Sequence, residues 1–220
     1  MLIERMRALG RALLQSRSGV SAVEFAVVAP VILTIGLYGA EVAYLNTVDM
    51  KLSEIALTLA DNASRIGQTD NSAVTPTVTE TDISEVMFGA QKQGGGIDLA
   101  ANGKVILTSL QRDAATGKQF IKWQRCMGSY ARQSAYGNDS TNNGLNGAVI
   151  TGMGSGATKV TAPNSNSAVM FVEIYYKYKS LTGDMFLKDR VLKKEGAFLV
   201  RDERNLTPGI TGSPNAYPCT

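Results

Sequence analysis

Gly19-Val20-Ser21-Ala22-Val23-Glu24-Phe25-Ala26-Val27-Val28-Ala29-Pro30 opens an apolar run that continues to Ala40, and its reading decides the architecture of this 220-residue chain. From Val20 to Ala40 there are 21 residues, and Glu24 is the only charged one. A helix rises about 1.5 Å per residue, so the stretch spans roughly 30 Å, the thickness of a bilayer core. The expectation is one transmembrane helix over 20–40. A buried core helix fits less well, because such helices carry apolar runs of only about 10 to 14 residues. Pro30, Gly36 and Gly39 are tolerated in a membrane helix, where neighbouring groups re-satisfy the backbone, and Pro30 is expected to kink it.

Outward from this run, residues 1–19 hold Arg5, Arg7, Arg11 and Arg17 against Glu4, while the first residues after it hold Glu41 and Asp49 and no base. Basic flanks stay in the cytoplasm, so the N-terminus is expected inside and the bulk of the chain outside. The same four arginines explain the net charge of +3: residues 20–220 hold 22 − 4 = 18 Lys and Arg against 19 − 1 = 18 Asp and Glu. A chain without residues 1–19 offers no excess of positive charge to a nucleic acid or an anionic surface.

A carboxylate in the middle of a bilayer costs a few kcal/mol, and such residues usually have a partner or a function. Glu24 lies four residues after Val20, about 6 Å along the helix, and two readings stay open. It reaches the headgroups by snorkelling, or it pairs with a new α-ammonium at Val20, of its own or an adjacent subunit, if the chain is cut after Gly19. A charge pair in apolar surroundings acts best as a register device.

The pattern of Gly19, Glu24 and Phe25, continued by Ala26-Val27-Val28-Ala29-Pro30, resembles the TadE-like pseudopilins and minor pilins of tight-adherence (Tad, Flp) type IVc pili. The resemblance covers about residues 16–65; Cys126 and the tail Glu195-Gly196-Ala197-Phe198-Leu199-Val200-Arg201-Asp202 look like some longer members. It implies that Gly19 and Val20 flank the bond cut by a prepilin peptidase, that Glu24 is the assembly glutamate, and that the chain sits in a bacterial inner membrane. Partners implied are other pilin or pseudopilin subunits and a pilus assembly platform. A mature chain of about 200 residues is large beside the small major pilins of such systems and favours a minor component. A secretory signal peptide is the competing reading, with Gly36, Gly39, Ala40 and Ala43 near its cleavage site, but its apolar core would run only about 7 to 15 residues and would not contain Glu24.

Beyond the run, Leu45, Val48, Leu52, Ile55, Leu59 and Ile66 recur at spacings of three and four, with Asn62 holding the place between the last two. Asp49, Lys51, Glu54 and Asp61 fall on other faces, so an amphipathic helix is expected over 41–66, stopped at Gly67 with Arg65 in its last turn. Its stripe packs on the chain's own sheet or in an intermolecular coiled coil; too few clean heptads are present to favour the latter.

Residues 67–220 are expected to form an extracytoplasmic α+β head, so that the whole is a pilin-like α+β fold with an antiparallel sheet. Residues 68–81 read as a linker, and Asp82 as the cap of a short helix, boxed by Glu85 and ended by Gly94-Gly95-Gly96. Strands are expected at 104–111 and 118–126, joined by a turn at 112–117, the first lying inside the sheet with helix on one side. Residues 137–167 read as a long glycine-rich surface excursion. Asp139-Ser140-Thr141-Asn142-Asn143-Gly144 fails as a calcium loop because Ile150 stands where a bidentate Glu is needed, and 152–159 lacks the Gly-Lys-Ser/Thr ending of a phosphate loop. A half-buried strand follows at 168–181, with Glu173, Lys177 and Lys179 on its polar face. A last strand is expected at 196–201, preceded at 188–195 by a basic turn or a helix fragment.

Cys126 and Cys219 are the only two cysteines, and outside the cytoplasm they read as a disulfide, with two free thiols as the alternative. The chain contains no histidine, which removes histidine-based triads, metal sites and general bases. No acid pair sits in an obviously apolar context, and no basic stripe is interleaved with aromatics. No cofactor, metal, catalytic residue or nucleic-acid partner is therefore expected. Two classes remain: a filament subunit, and a singly anchored envelope protein whose head binds a partner.

Overall fold

The computed structural model describes residues 18–67, 75–157, 159–201, 204–213 and 216–219. The arginines expected to form a leader, Arg5, Arg7, Arg11 and Arg17, and the 68–74 part of the expected linker lie outside them.

One helix, α1 (Ser18–Arg65), carries both the apolar run and the amphipathic stretch. At about 1.5 Å per residue its 48 residues extend roughly 70 Å. Helix continues on both sides of Pro30, whose ring removes the donor for the Ala26 carbonyl, and Thr34 Oγ1 donates to the Pro30 carbonyl at 2.7 Å. Residues 19–40 are exposed apart from half-buried Ala29, whereas Glu41, Val48, Leu52, Ile55, Ala56, Leu59, Ala60 and Ala63 are buried. The stripe thus runs through Ala63 and not Asn62, which is exposed. Ala56, Ala60 and Ala63 are small, and they let the helix axis approach the sheet closely. Gly67 adopts φ +87°, a stop that a side chain would strain. The base against the last carbonyls of α1 is buried Arg204, which donates to the carbonyls of Ala63 and Ser64; Arg65 instead pairs with Asp61 at 3.1 Å on the surface.

The first element of the head is β1 (Val78–Thr79), which pairs in parallel with β6 (Ile210–Thr211). The linker expected over 68–81 is corrected at 78–81, which are strand and helix, while 75–77 are irregular as expected; the cap is corrected too. Thr79, not Asp82, caps α2 (Glu80–Gln93): its hydroxyl accepts from the Asp82 amide while the Asp82 carboxylate accepts from the Thr79 amide. Asp82 is the third helical residue of a reciprocal box, so the pattern is offset by three residues from the expected one. A 3-10 turn (Gly95–Ile97) and a single helical turn, α3 (Leu99–Asn102), lead into the sheet.

Four antiparallel strands follow: β2 (Gly103–Arg112), β3 (Gln119–Met127), β4 (Ala168–Lys177) and β5 (Val191–Leu199), in the spatial order β3-β2-β4-β5. The β2–β3 hairpin closes over Asp113, whose carboxylate takes the Thr116 amide and hydroxyl, and over Gly117 at φ +70°. Strand β2 lies inside the sheet as expected, with Val105 and Leu107 toward the helices and Ile106 and Leu110 on the other side. Two expectations fail. Residues 191–195 are neither turn nor helix but the first half of β5, paired with β4 from Val191 to Leu199; the consecutive charges Lys193, Lys194 and Glu195 sit on an edge strand and hide its period of two. Strand β4 ends at Lys177 and is buried on both faces, Glu173 included.

The second face of β4 is covered by the glycine-rich excursion. Ile150, Met153, Val160 and Tyr136 pack over Leu110, Ile121, Val169 and Phe171, with the Tyr136 and Phe171 rings 5.3 Å apart. The excursion is surface chain that roofs a small second core. The larger core lies between the opposite face and the helices, joining Leu52, Ile55 and Leu59 of α1, Ile83 and Met87 of α2, and Val172, Ile174 and Tyr176 of β4.

Candidate assembly surface

The functional residues read from sequence lie almost entirely on the part of α1 that the head leaves bare. Gly19 and Val20 occupy its first turn, Glu24 lies one turn further, and Phe25 beside it is 74% exposed. Adding a Cβ at Gly19, Gly36 or Gly39 would meet nothing within 4 Å. Among the described residues no ion pair involves Glu24, and the helix around and beyond it exposes Val23, Phe25, Val27, Ile32, Leu33 and Ile35, an apolar sleeve broken only by small and hydroxyl side chains. The helix is long and apolar enough to cross a membrane.

Where the sleeve ends, the head begins. Glu41 is fully buried and encircled by donors from the segment after β4: Tyr178 Oη at 2.6 Å, the Thr182 amide at 3.1 Å and Thr182 Oγ1 at 2.9 Å. One helical turn on either side, Tyr38 stacks edge-on against Phe186 at 5.6 Å and Tyr44 lies 6.0 Å from Tyr178. Two turns further along, Asp49 pairs with Lys194 of β5 at 2.6 Å. The two acids that flank the apolar run in sequence are therefore the bolts between helix and head. Glycine completes the fit: a Cβ on Gly196 of β5 would stand 2.6 Å from the Ala56 carbonyl oxygen, so helix and strand backbones touch.

A second cluster was not legible as one. Glu173 and Glu195 are direct cross-strand partners on β4 and β5, an acid pair that the sequence reading did not find. Glu173 accepts from the Ser134 hydroxyl, the Ala135 amide at 3.1 Å and Tyr175 Oη at 2.8 Å. Glu195 accepts from Tyr136 Oη at 2.7 Å, the Ser155 amide at 2.7 Å and Lys193 at 2.6 Å. Burial would raise the Glu195 carboxyl, but hydrogen bonds from Lys193, Tyr136 and Ser155 outweigh it and hold it down to about 2. Burial and the neighbouring glutamates push the Tyr136 and Tyr175 phenols up. Both carboxylates are thus occupied by internal donors that pin the roof to the sheet. The only signal in the sequence is Glu173 standing between Val172 and Ile174.

Cys126 and Cys219 form a disulfide, and the Cys126 amide donates to the Tyr217 carbonyl at 2.8 Å, so the tail is bound along the outer edge of β3. Nearby, an ion pair between Arg125 and Glu80 ties β3 to the start of α2. Among the described residues no group of three or more Cys, Asp or Glu side chains is arranged to hold a metal ion. Comparisons with protein-family models, with curated proteins and with solved structures found no match.

Proposed function

We propose that this chain is a minor pilin or pseudopilin, a structural subunit whose bare helix packs among like helices while its α+β head faces outward from a bacterial inner membrane. The observation that carries the reading is the division of α1: one continuous helix, of which residues 19–40 are exposed and apolar while the rest is bolted into the head. Such a helix needs lipid or other helices around its first half, because among the described residues no element covers it. Cleavage by a prepilin peptidase after Gly19 would give Val20 an ammonium within one turn of Glu24, and that pair would set the height of one subunit against the next. An assembly platform and other subunits are the partners in this reading, with the N-terminus cytoplasmic and the head periplasmic.

The test is the N-terminus and fate of the native chain. N-terminal sequencing should begin at Val20, and Glu24→Ala should still insert in the membrane yet fail to enter filaments. Retention of residues 1–19 in the mature chain, or normal incorporation of Glu24→Ala, overturns the proposal. A second reading, a singly anchored binding module, draws support from a cleft beside the disulfide whose lining, among the described residues, includes Lys104, Arg132, Gln133 and Asn138 and no acidic side chain. An uncleaved, monomeric chain that binds an anionic partner through this cleft would favour it.

A further inference from the structure

The segment between β4 and β5 lies level with the end of the apolar sleeve and carries apolar side chains that no described residue covers. Phe186 packs on Tyr38, which is two residues, or about 3 Å, before the end of the apolar run. Thr182 and Tyr178 close over Glu41, one residue beyond that end. The 3-10 turn Gly183–Met185 and its neighbours are held at that height by contacts from both sides. There, Leu181 is 60% and Met185 69% exposed. On a water-facing loop these would be stray apolar groups; at this height they continue the surface of the sleeve.

The flanking charges fit the same boundary. Residues 177–190 hold Lys177, Lys179, Lys188 and Arg190 against Asp184 and Asp189, a net of 4 − 2 = +2. Lys177 pairs with Asp189 at 3.7 Å, and Lys179, Lys188 and Arg190 are exposed. Apolar tips flanked by basic residues, beside exposed Tyr38 and half-buried Tyr44 and Phe186, are the composition of a surface that sits in the headgroup layer of a bilayer.

We propose that the segment 181–186 is a second membrane contact: Leu181 and Met185 dip into the outer interface of the same bilayer that α1 crosses, with Lys179, Lys188 and Arg190 on its anionic headgroups. The proposal rests on the single-span reading of 20–40. It gives the helix a second foot, so the head cannot rotate freely about the helix axis or ride away from the membrane.

The test uses the full chain in liposomes of phosphatidylethanolamine and phosphatidylglycerol, with one tryptophan added at a time and the emission of Trp123 subtracted with the parent chain. Three reporters are needed: Met185→Trp in the segment, Val31→Trp in the span and Val149→Trp on the exposed roof. Leu181→Trp serves as an independent copy of the first. Met185→Trp should be blue-shifted and lose about half of its added emission to bromine carried near the headgroup end of the acyl chains, with much less lost to bromine near the methyl ends. Val31→Trp should show the opposite depth order, and Val149→Trp neither effect. If Val31→Trp is quenched from the bilayer centre while Met185→Trp and Leu181→Trp are open to aqueous iodide, the second contact is wrong and the span stands. If the segment reporters are shielded from both lipid and iodide, protein covers them and the proposal fails. An unquenched Val31→Trp would remove the span and this proposal with it.

Discussion

Replacing Gly196 by alanine tests how the helix is joined to the sheet. A Cβ at this position would stand 2.6 Å from the Ala56 carbonyl oxygen, 2.7 Å from its carbon and 3.0 Å from the Leu57 amide. All three atoms are backbone in the middle of α1, so no side-chain rotamer relieves the clash. The helix must shift away from β5, or the strand must bow. Overpacking of this kind costs about 1–3 kcal/mol. Distance from the sheet is shared along a rigid helix, so Leu52, Ile55 and Leu59 lose contact together and the upper half of the range applies, about 2 to 3 kcal/mol. Denaturant unfolding of the detergent-solubilised, oxidised chain, followed through buried Trp123, reads this as a lower midpoint. Gly89→Ala is the matched control: it sits exposed inside α2 with nothing within 4 Å of its Cβ and should stabilise by about 0.5–1 kcal/mol. A Gly196→Ala midpoint equal to the parent's would refute the claim that the two backbones are in contact.

Further outcomes follow from the other bolts. Glu195 has its folded pKa depressed from 4.5 to about 2, so its contribution is complete above about pH 4.5 and is lost as pH falls toward 2; solvent screening of this half-buried group keeps it below the roughly 3 kcal/mol that the full depression would give at about 1.36 kcal/mol per pH unit. Glu195→Gln should flatten the stability–pH profile over that window, and a variant profile parallel to the parent's would count against the roof latch. Cys219→Ser opens a loop of 94 residues, counted from a sequence separation of 93. The entropic model puts the loss at about 4 to 5 kcal/mol before any strain is subtracted; an unchanged unfolding midpoint would mean that the tail contributes nothing. Glu41→Ala leaves buried Tyr178 Oη without its acceptor, at about 1–3 kcal/mol if no water replaces it, and leaves the Thr182 amide and hydroxyl with only the Ser180 hydroxyl, at 3.2 and 3.3 Å. Hydrogen exchange at the Thr182 amide should accelerate, and protection equal to the parent's would show that the junction is held by something else.

What could be read from the sequence was what repeats at a fixed period. The apolar run, the stripe from Val48 to Leu59 and the hairpin around Asp113 to Gly117 each announce themselves within a few residues, because burial or turn geometry recurs locally. The pair of cysteines was legible for a different reason, since two thiols leave one intramolecular choice. Charged residues misled wherever their partner is distant in sequence. Glu41 and Asp49 read as flanking charges because Tyr178, Thr182 and Lys194 are more than a hundred residues away. Glu173 read as the polar side of a half-buried strand because its donors come from the roof, and the roof itself, rich in Gly, Asn and Ser, read as open loop although Ile150 and Met153 are buried under it. Strand β5 was misjudged because Lys193, Lys194 and Glu195 are edge residues whose charges satisfy neither period cleanly. Thr79 was passed over as a cap because the acid three residues on is Asp82 and not the usual Glu or Gln.

An unbroken α1 also defines a load path. Tension applied to the head enters the helix along the whole seam from Glu41 to Ala63, where Gly196, the Asp49–Lys194 pair and the Glu41 donors act side by side. Rupture in that geometry requires shearing these joints together, not peeling them one after another. The oxidised tail closes off the opposite edge of the sheet from unzipping. A chain joined this way should yield at the bare first half of α1 before the seam gives, so pulling on the head should free that half of the helix while the fold stays closed.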